Sequence, residues 1–454
     1  MKKFQKLAKI YNSNRSIVMN ILGAFFVKGG GLIISFFLFP AYIDFFEDQI
    51  ILGVWYTLLS ILQWILVFDL GLGSGLRNKL PECLVKNDTK TAKEYISTSY
   101  IIIISALTFV YLVGMCLISQ LNWNSILKVQ ESLVSKQDLM FCVRIAFTGI
   151  VIYLILNTIT SVLYAMQKAA FVNLLSLATS ILTLIALLLI PSKDIVTNLK
   201  TMSLVNAFAM ILPQTVCTLL VFCKYLKGCA PSIRFFCKKH VKDILGTGFS
   251  LFWLTLVFMV VSSTKEVLIT SFTGPEHVVE YQGYYKIFNT FTMLVTLTLS
   301  PIWSAVTKAQ IQKKFSWIHN VYRLFLAVCI FCFLIELLLI PIMQPIMDIW
   351  LGEGVLEVDP FYAFAFAISG AVMVLHNVNT SIGNGLSFFR IQKIWMTVAA
   401  VVYIPLSYVL VLAMESWIGV VFGGVICLLP YELIAPIYTI RFLKKHSQAK
   451  SVDS

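Results

Sequence analysis

Apolar residues collect in twelve stretches, roughly 17–44, 50–72, 95–119, 140–165, 169–191, 200–223, 244–273, 278–307, 321–345, 360–385, 394–413 and 418–440. Each approaches or exceeds the ~20 residues a helix needs to cross a hydrocarbon core about 30 Å thick. The polar residues lie mostly between the stretches, so the pattern predicts twelve transmembrane helices joined by short connections. An even number of crossings places both termini on one side.

Lys and Arg decide which side. Twenty-six of them fall in the terminal segments and the connections on the termini's side, against Lys128, Lys136, Lys193 and Lys200 opposite. That asymmetry predicts cytoplasmic N- and C-termini. The opposite connections are acidic, with Asp44, Glu47 and Asp48 in one and Asp348, Glu353, Glu357 and Asp359 in another.

Composition removes the soluble alternatives. Of 454 residues, 59% are apolar and 13% charged, where soluble domains carry about 25% charged residues. No soluble fold of this length could hide so much apolar surface. The net charge of +13 does not indicate nucleic acid, because the cations sit between apolar runs as topology signals and contacts for anionic lipids. The ten Cys fall in predicted spans or cytoplasmic connections and read as free thiols. Cys329 and Cys332 lie inside an apolar run, and Cys223, Cys229, Cys237 and His240 show no recognisable zinc spacing, so no metal is expected. The first apolar stretch is too long for a signal-peptide core and contains Lys28, so it reads as the first transmembrane helix.

The spans divide six and six about the basic 224–243 connection. Asn20-Ile-Leu-Gly23 at span one resembles Asp243-Ile-Leu-Gly246 at span seven. Six crossings per half give both halves the same orientation, a parallel repeat of the kind transporters rock about a midplane site. The expected organisation is an N-terminal lobe at 1–223, a cytoplasmic linker at 224–243, and a C-terminal lobe with its tail at 244–454.

Charges within the spans are costly, about 2.5–3.5 kcal/mol each on insertion scales, and therefore informative. Lys28 lies about eleven residues into span one, roughly 16 Å deep, and is followed by Gly29, Gly30 and Gly31. Arg144, Lys265 and Lys286 lie in the outer parts of spans four, seven and eight, and Arg323 can reach the cytoplasmic interface from the start of span nine. These cations either line an aqueous cavity that binds an anion or pair with intramembrane acids. The acids are Asp69, Glu266, Glu336 and Glu432; Asp69, Glu266 and Glu336 are candidates for ion coupling or gating. Lys265 and Glu266, as helix neighbours, point about 100° apart and cannot pair simply. Span ten carries His376, Asn377, Asn379, Thr380, Ser381 and Asn384, which either face a hydroxyl-rich substrate or bond between helices. His376, Asn377 and Asn384 join Lys28, Arg144, Lys265 and Lys286 as candidate substrate-binding residues. Gly419-x-x-x-Gly423 is a helix-packing motif.

No P-loop occurs, and the longest outward connection, about 120–139, lacks a set of catalytic acids or His. Transport is expected, not catalysis.

Four segments carry a family resemblance. Phe68-Asp-Leu-Gly-Leu-Gly-Ser-Gly-Leu-Arg-Asn-Lys79 resembles the end of the second helix in bacterial O-antigen and polysaccharide flippases of the multidrug/oligosaccharidyl-lipid/polysaccharide exporter superfamily. Pro301-Ile-Trp-Ser-Ala305 with Trp317-Ile318, Ile349-Trp-Leu-Gly352, and Asn384-Gly385 with Arg390-x-Gln392 and Ile404-Pro-Leu-Ser407 agree in order along nearly the whole chain. Lys308 departs from the pattern, standing where an acidic residue is expected, which speaks against an acidic gate there. The resemblance implies an all-α polytopic membrane protein, with two six-helix lobes in a V about a cationic cavity. It further implies flipping of undecaprenyl-pyrophosphate-linked repeat units to the outer leaflet of the bacterial cytoplasmic (inner) membrane. The partners it implies are membrane lipids, a polysaccharide polymerase and a chain-length regulator. No cofactor is expected beyond a coupling cation, H+ or Na+, and the membrane potential. Mid-membrane Lys28 would neutralise the pyrophosphate, and the polar run of span ten would face sugars. The alternatives are a cation-coupled multidrug antiporter of the same superfamily, in which acids should dominate, and a peptidoglycan-precursor flippase. A membrane-embedded glycosyl polymerase would need catalytic residues on the outer face.

Overall fold

The computed structural model describes residues 15–66, 72–166, 168–245 and 249–452, and among these every regular element is helical. The first helices are α1 (Arg15–Phe46), α2 (Gln49–Leu66), α3 (Leu72–Val85) and α4 (Thr89–Gln120). After the short α5 (Trp123–Ile126) come α6 (Lys136–Ala165), α7 (Ala169–Leu189), α8 (Ile195–Leu220) and the linker helix α9 (Lys238–Leu245). The remainder forms α10 (Phe249–Ser262), α11 (Lys265–Phe272), α12 (Glu276–Ile311), α13 (Phe315–Leu339), α14 (Met343–Leu351), α15 (Pro360–Gly385), α16 (Phe389–Met414) and α17 (Ile418–Val452).

Ten segments among the described residues are long and apolar enough to cross a membrane. The second and eighth predicted stretches are filled by α2, apolar but short over its described length, and by α12, whose Glu276, Glu280, Lys286 and Lys308 dilute its hydropathy. The described parts of the twelve predicted stretches therefore lie in helices of a multi-pass membrane protein, the seventh with a break. Large apolar side chains cover the helix surfaces: Phe26, Leu189 and Ile349 are 80%, 76% and 88% exposed. In a soluble chain this would be ruinous; against lipid tails it costs nothing.

Polar caps mark where several helices begin. Asp88 accepts a hydrogen bond from Thr91 N (3.0 Å) at the start of α4, and Asp194 accepts one from Thr197 N (3.0 Å) at the start of α8. Asp359 does the same for Phe361 N (2.7 Å) ahead of α15, with Pro360 as its first residue. These side chains satisfy amides that have no partner within the helix. Hydrogen bonds from Thr91 hold the Asp88 carboxyl below its ordinary range.

Span seven departs from the sequence expectation. Instead of one helix over 244–273, α10 stops at Ser262 and α11 restarts at Lys265. Ser263 and Thr264 occupy the break and Ser262 ends α10, a run of hydroxyl side chains that compete with backbone bonding. The break places Glu266 in the first turn of α11, where a negative charge suits the helix dipole.

The chain forms two compact units. One comprises residues up to Asp48 with Leu62–Ser125 and Gln130–Phe252; the other comprises Gln49–Ile61, Ile126–Val129 and the chain from Trp253. In this grouping Gln49–Ile61 belongs with the second unit and the 224–243 linker with the first. Within the first unit α1 packs on α7, and α6 on α8; within the second, α12 and α17 pack on α15 and α16 on α17. Gly419 and Gly423 let α17 approach the α16 backbone near Val411 and the side chain of Ser407, as the small-residue motif suggests.

Gly53 of α2 packs against the turn before α12, where a Cβ would collide with the carbonyl of Pro275. Overpacking of this sort costs about 1–3 kcal/mol. Gly53→Ala should therefore lower the thermal unfolding temperature of the detergent-solubilised protein, whereas Gly29→Ala, with open space around its Cβ, should leave it unchanged. Fluorescence-detected melting of the two variants measures the difference.

Candidate functional site

The helix break at residues 263–264 sets two opposite charges side by side and sends them to different surroundings. Glu266 accepts hydrogen bonds from Gln282 Nε2 of α12 (2.9 Å) and from Ser60 Oγ of α2 (3.1 Å). Ser60 Oγ also contacts the carbonyl of Ser263 at 2.8 Å, bridging the break. One turn on, Thr57 and Thr270 join their hydroxyls at 2.6 Å. The Glu266 carboxylate is thereby held by neutral donors.

Lys265 points about 100° away, as adjacent helical positions do. It is 7% exposed, and no carboxylate lies within 4.0 Å of its ammonium among the described residues. With Ser262, Tyr285, Asn289, Thr292 and Ser369 it lines a cavity of about 30 Å³, completed by Phe288, Phe366, Gly370 and Met373. That volume holds a water or two. Behind Gly370 lies Glu336 of α13, fully buried, with both carboxyl oxygens lacking hydrogen-bond partners among the described residues. Any residue larger than glycine at 370 would strike that carboxyl.

A second buried centre gathers five helices about Glu432 of α17, which is 1% exposed. His376 Nδ1 lies 2.8 Å from Oε1, and Asn379 Nδ2 donates to Oε2 at 2.6 Å. Tyr322 OH of α13 donates to Asn379 Oδ1 at 2.6 Å. The far ring nitrogen of His376 faces Thr380 Oγ1 at 3.4 Å, which accepts from Gln392 Nε2 of α16 at 3.3 Å. Phe258 of α10 stacks face to face on the imidazole, 4.5 Å between ring centres. The bonding order is self-consistent with Nδ1–H donating to the carboxylate and Nε2 accepting, a tautomer inferred from the network. Such a closed chain of donors stabilises the acid's charge, and one proton gained or lost rearranges every member.

The remaining predicted residues are dispersed. Lys28, exposed, and Arg144, half-buried and donating from Nη2 to Ser119 Oγ at 2.8 Å, belong to the first unit. Lys286 and Asn377 are half-buried in the second, and Asn384 is buried there with its Oδ1 unpartnered among the described residues. Asp69 lies outside the described residues. Sequence reasoning noted Glu432 but gave it no role, quoted Gln392 only as part of the family resemblance, and assigned nothing to Ser60, Gln282 or Tyr322. An intramembrane acid and an intramembrane His were the available signal for the Glu432 centre. A larger cleft of about 420 Å³ lies at the loop ends of the second unit, lined by Glu280, Glu357, Asp359 and Glu415, and its acidity disfavours an anionic ligand.

No known family profile matches the chain. A protein of Salmonella typhimurium (strain LT2) named "Putative O-antigen transporter" is 23% identical over 274 residues, which are 59% of this chain and 60% of that protein. The chain thus spans only about three-fifths of this curated relative. Among solved structures, an inward-facing multidrug resistance MATE family transporter of the MOP superfamily superposes with a TM-score of 0.71 at 15% identity, covering 91% of this chain and 96% of that one. A MOP superfamily transporter from Pyrococcus furiosus, described as having a binding pocket of reverse polarity, gives 0.63 at 14% identity over 94% and 96%. The chain therefore has the fold of the MOP-superfamily transporters, and its sequence resembles that of the Salmonella O-antigen transporter.

Proposed function

We propose that the chain is a lipid-linked oligosaccharide flippase, moving undecaprenyl-pyrophosphate-linked O-antigen or polysaccharide repeat units across the bacterial cytoplasmic membrane by alternating access. The observation that carries this reading is Lys265: a buried ammonium that no carboxylate approaches within 4.0 Å among the described residues, opening on a cavity of hydroxyl and amide groups. A fold gains nothing from an unpaired charge in a low-dielectric interior, so retaining one points to an anionic ligand group. The likeness to an O-antigen transporter supports a substrate that carries such a group. Lys28, near the middle of α1, is the primary phosphate contact in this account; Arg144, Lys265 and Lys286 supply further positive field. Two negative charges leaving across a 100 mV inside-negative potential would gain roughly 4–5 kcal/mol.

The polar run of span ten then has divided duties. His376 and Asn379 are engaged by Glu432, so we assign them to cation coupling and leave Asn377 and Asn384 for sugar contact. Partners further along the pathway, a polymerase and a chain-length regulator, follow from the same reading. Likeness of fold to a multidrug transporter and the Glu432 centre favour a second reading, a cation-coupled multidrug antiporter.

Expression in a flippase-null bacterium that makes a matching repeat unit separates the two. Wild type and Lys28→Arg should restore surface polysaccharide, and Lys28→Ala should lower it at least about tenfold, the equivalent of ~1.4 kcal/mol in transport. Normal membrane levels with full activity for Lys28→Ala would remove that residue from the site. Failure of wild type to restore polysaccharide, together with resistance to cationic drugs, would establish the antiporter.

Lys265→Met should lower polysaccharide export to a similar extent while leaving thermal stability unchanged or raised, because it removes an unpaired buried charge. Glu432→Gln should remain folded yet lose the dependence of export on an imposed cation gradient. Glu432→Ala should also unfold earlier, since each orphaned buried donor costs about 1–3 kcal/mol. Export assays under imposed gradients, paired with melting curves, distinguish these variants.

A further inference from the structure

The basic linker carries chemistry that transport does not use. Cys237 immediately precedes α9, and His240 follows three residues later, a spacing that puts both on one side of the helix start. The linker folds back on the beginning of α4, within the first unit. There His240 Nε2 comes within 3.2 Å of Glu94 Oε2, and the ligand atoms of Glu94, Cys237 and His240 all lie within 4.8 Å of one another. In tetrahedral zinc the edge between an imidazole nitrogen and a carboxylate oxygen is roughly 3.4 Å, and that between nitrogen and thiolate sulfur roughly 3.6 Å. The His240–Glu94 pair already stands near the first of these separations.

The surroundings fix the three side chains. Tyr95 stacks on the His240 ring with 3.9 Å between centres. Cys237 N donates to Thr98 Oγ1 at 3.0 Å, and Ser232 N donates to Ser97 Oγ at 3.1 Å. Among the described residues His240 directs its hydrogen bonding to Glu94 alone, and its Nδ1 is buried without a partner. His240 and Glu94 keep 12% and 24% of their side-chain surface exposed, so an ion can enter from water.

We infer that Glu94, Cys237 and His240 form a binding site for a divalent cation of the zinc class, stapling the linker to α4. A thiolate, a carboxylate and a neutral imidazole neutralise a dication and leave a fourth position for water. Sulfur and nitrogen donors select zinc, cobalt or nickel over magnesium or calcium. With the linker carrying Lys224, Lys227, Arg234, Lys238, Lys239 and Lys242, the staple would hold a self-repelling segment in place. Neither Cys237 nor His240 is in the transport machinery assigned above, so the site stands or falls separately.

The test titrates the full-length chain, purified in detergent with a tag free of histidine, with Co2+. Wild type should bind one ion per chain and develop a thiolate-to-cobalt charge-transfer band that Zn2+ abolishes by displacement. Cys237→Ser should lose the band. Glu94→Gln and His240→Gln should weaken binding at least about tenfold, and Cys223→Ser, an exposed cysteine at the end of the sixth span, should change nothing. Zn2+ should also slow proteolysis after Lys238 and Lys239 in wild type but not in Cys237→Ser. Absence of the band in wild type, its persistence in Cys237→Ser, or linker protection that is indifferent to Zn2+ in wild type would overturn the proposal and leave the cluster a hydrogen-bonded contact.

Discussion

Hydrocarbon offers neither backbone amides nor charged side chains any water, and the organisation of this chain follows from that condition. Helices satisfy the backbone internally, so the twelve apolar stretches become helices and Asp88, Asp194 and Asp359 sit where helices begin. The same condition filters the charges. A carboxylate or ammonium within a span persists only where something compensates it, and the form of compensation shows its use.

Three ionisable groups in the second unit, Glu432 and Lys265 buried and Glu266 half-buried, illustrate the range. Glu432 receives donors from His376 and Asn379 and is wholly enclosed. Glu266 is held by Ser60 and Gln282 across a helix break. Lys265, its neighbour, makes no ion pair within 4.0 Å among the described residues and opens on a small polar cavity. A saturated acid beside a histidine suits proton or cation exchange, whereas an unsatisfied cation suits an anionic substrate. Both devices in one unit suit the coupled anion export proposed above.

Much of this was legible in the chain. Apolar length gave the approximate positions of the spans, because crossing a membrane sets a minimum length for each, but not the helix limits: α4 begins at Thr89 and α17 runs on to Val452. The separation of Lys265 and Glu266 by about 100° followed from helical geometry. Other features were hidden for definite reasons. The break at 263–264 has no Pro or Gly to announce it; three hydroxyl residues suffice, and they also occur in unbroken membrane helices. The Glu432 centre joins residues that lie 53 and 56 positions apart in the chain, so no local pattern reveals it. Likewise Cys237 and His240 lack a zinc motif because their third partner, Glu94, is 146 residues upstream of His240. Packing of Gln49–Ile61 with the C-terminal helices was equally invisible to a reading that divides the chain in sequence order.

The account's central claim is movement of a pyrophosphate-linked glycan between leaflets. Its most direct measurement reconstitutes the purified chain in liposomes containing an undecaprenyl-pyrophosphate oligosaccharide with a fluorophore on its terminal sugar, then adds a membrane-impermeant quencher. The predicted result is quenching that proceeds past the outer-leaflet fraction toward completion, faster when the imposed potential drives the anion toward the quencher. Quenching that halts at the outer-leaflet fraction, as in protein-free liposomes, would contradict the account.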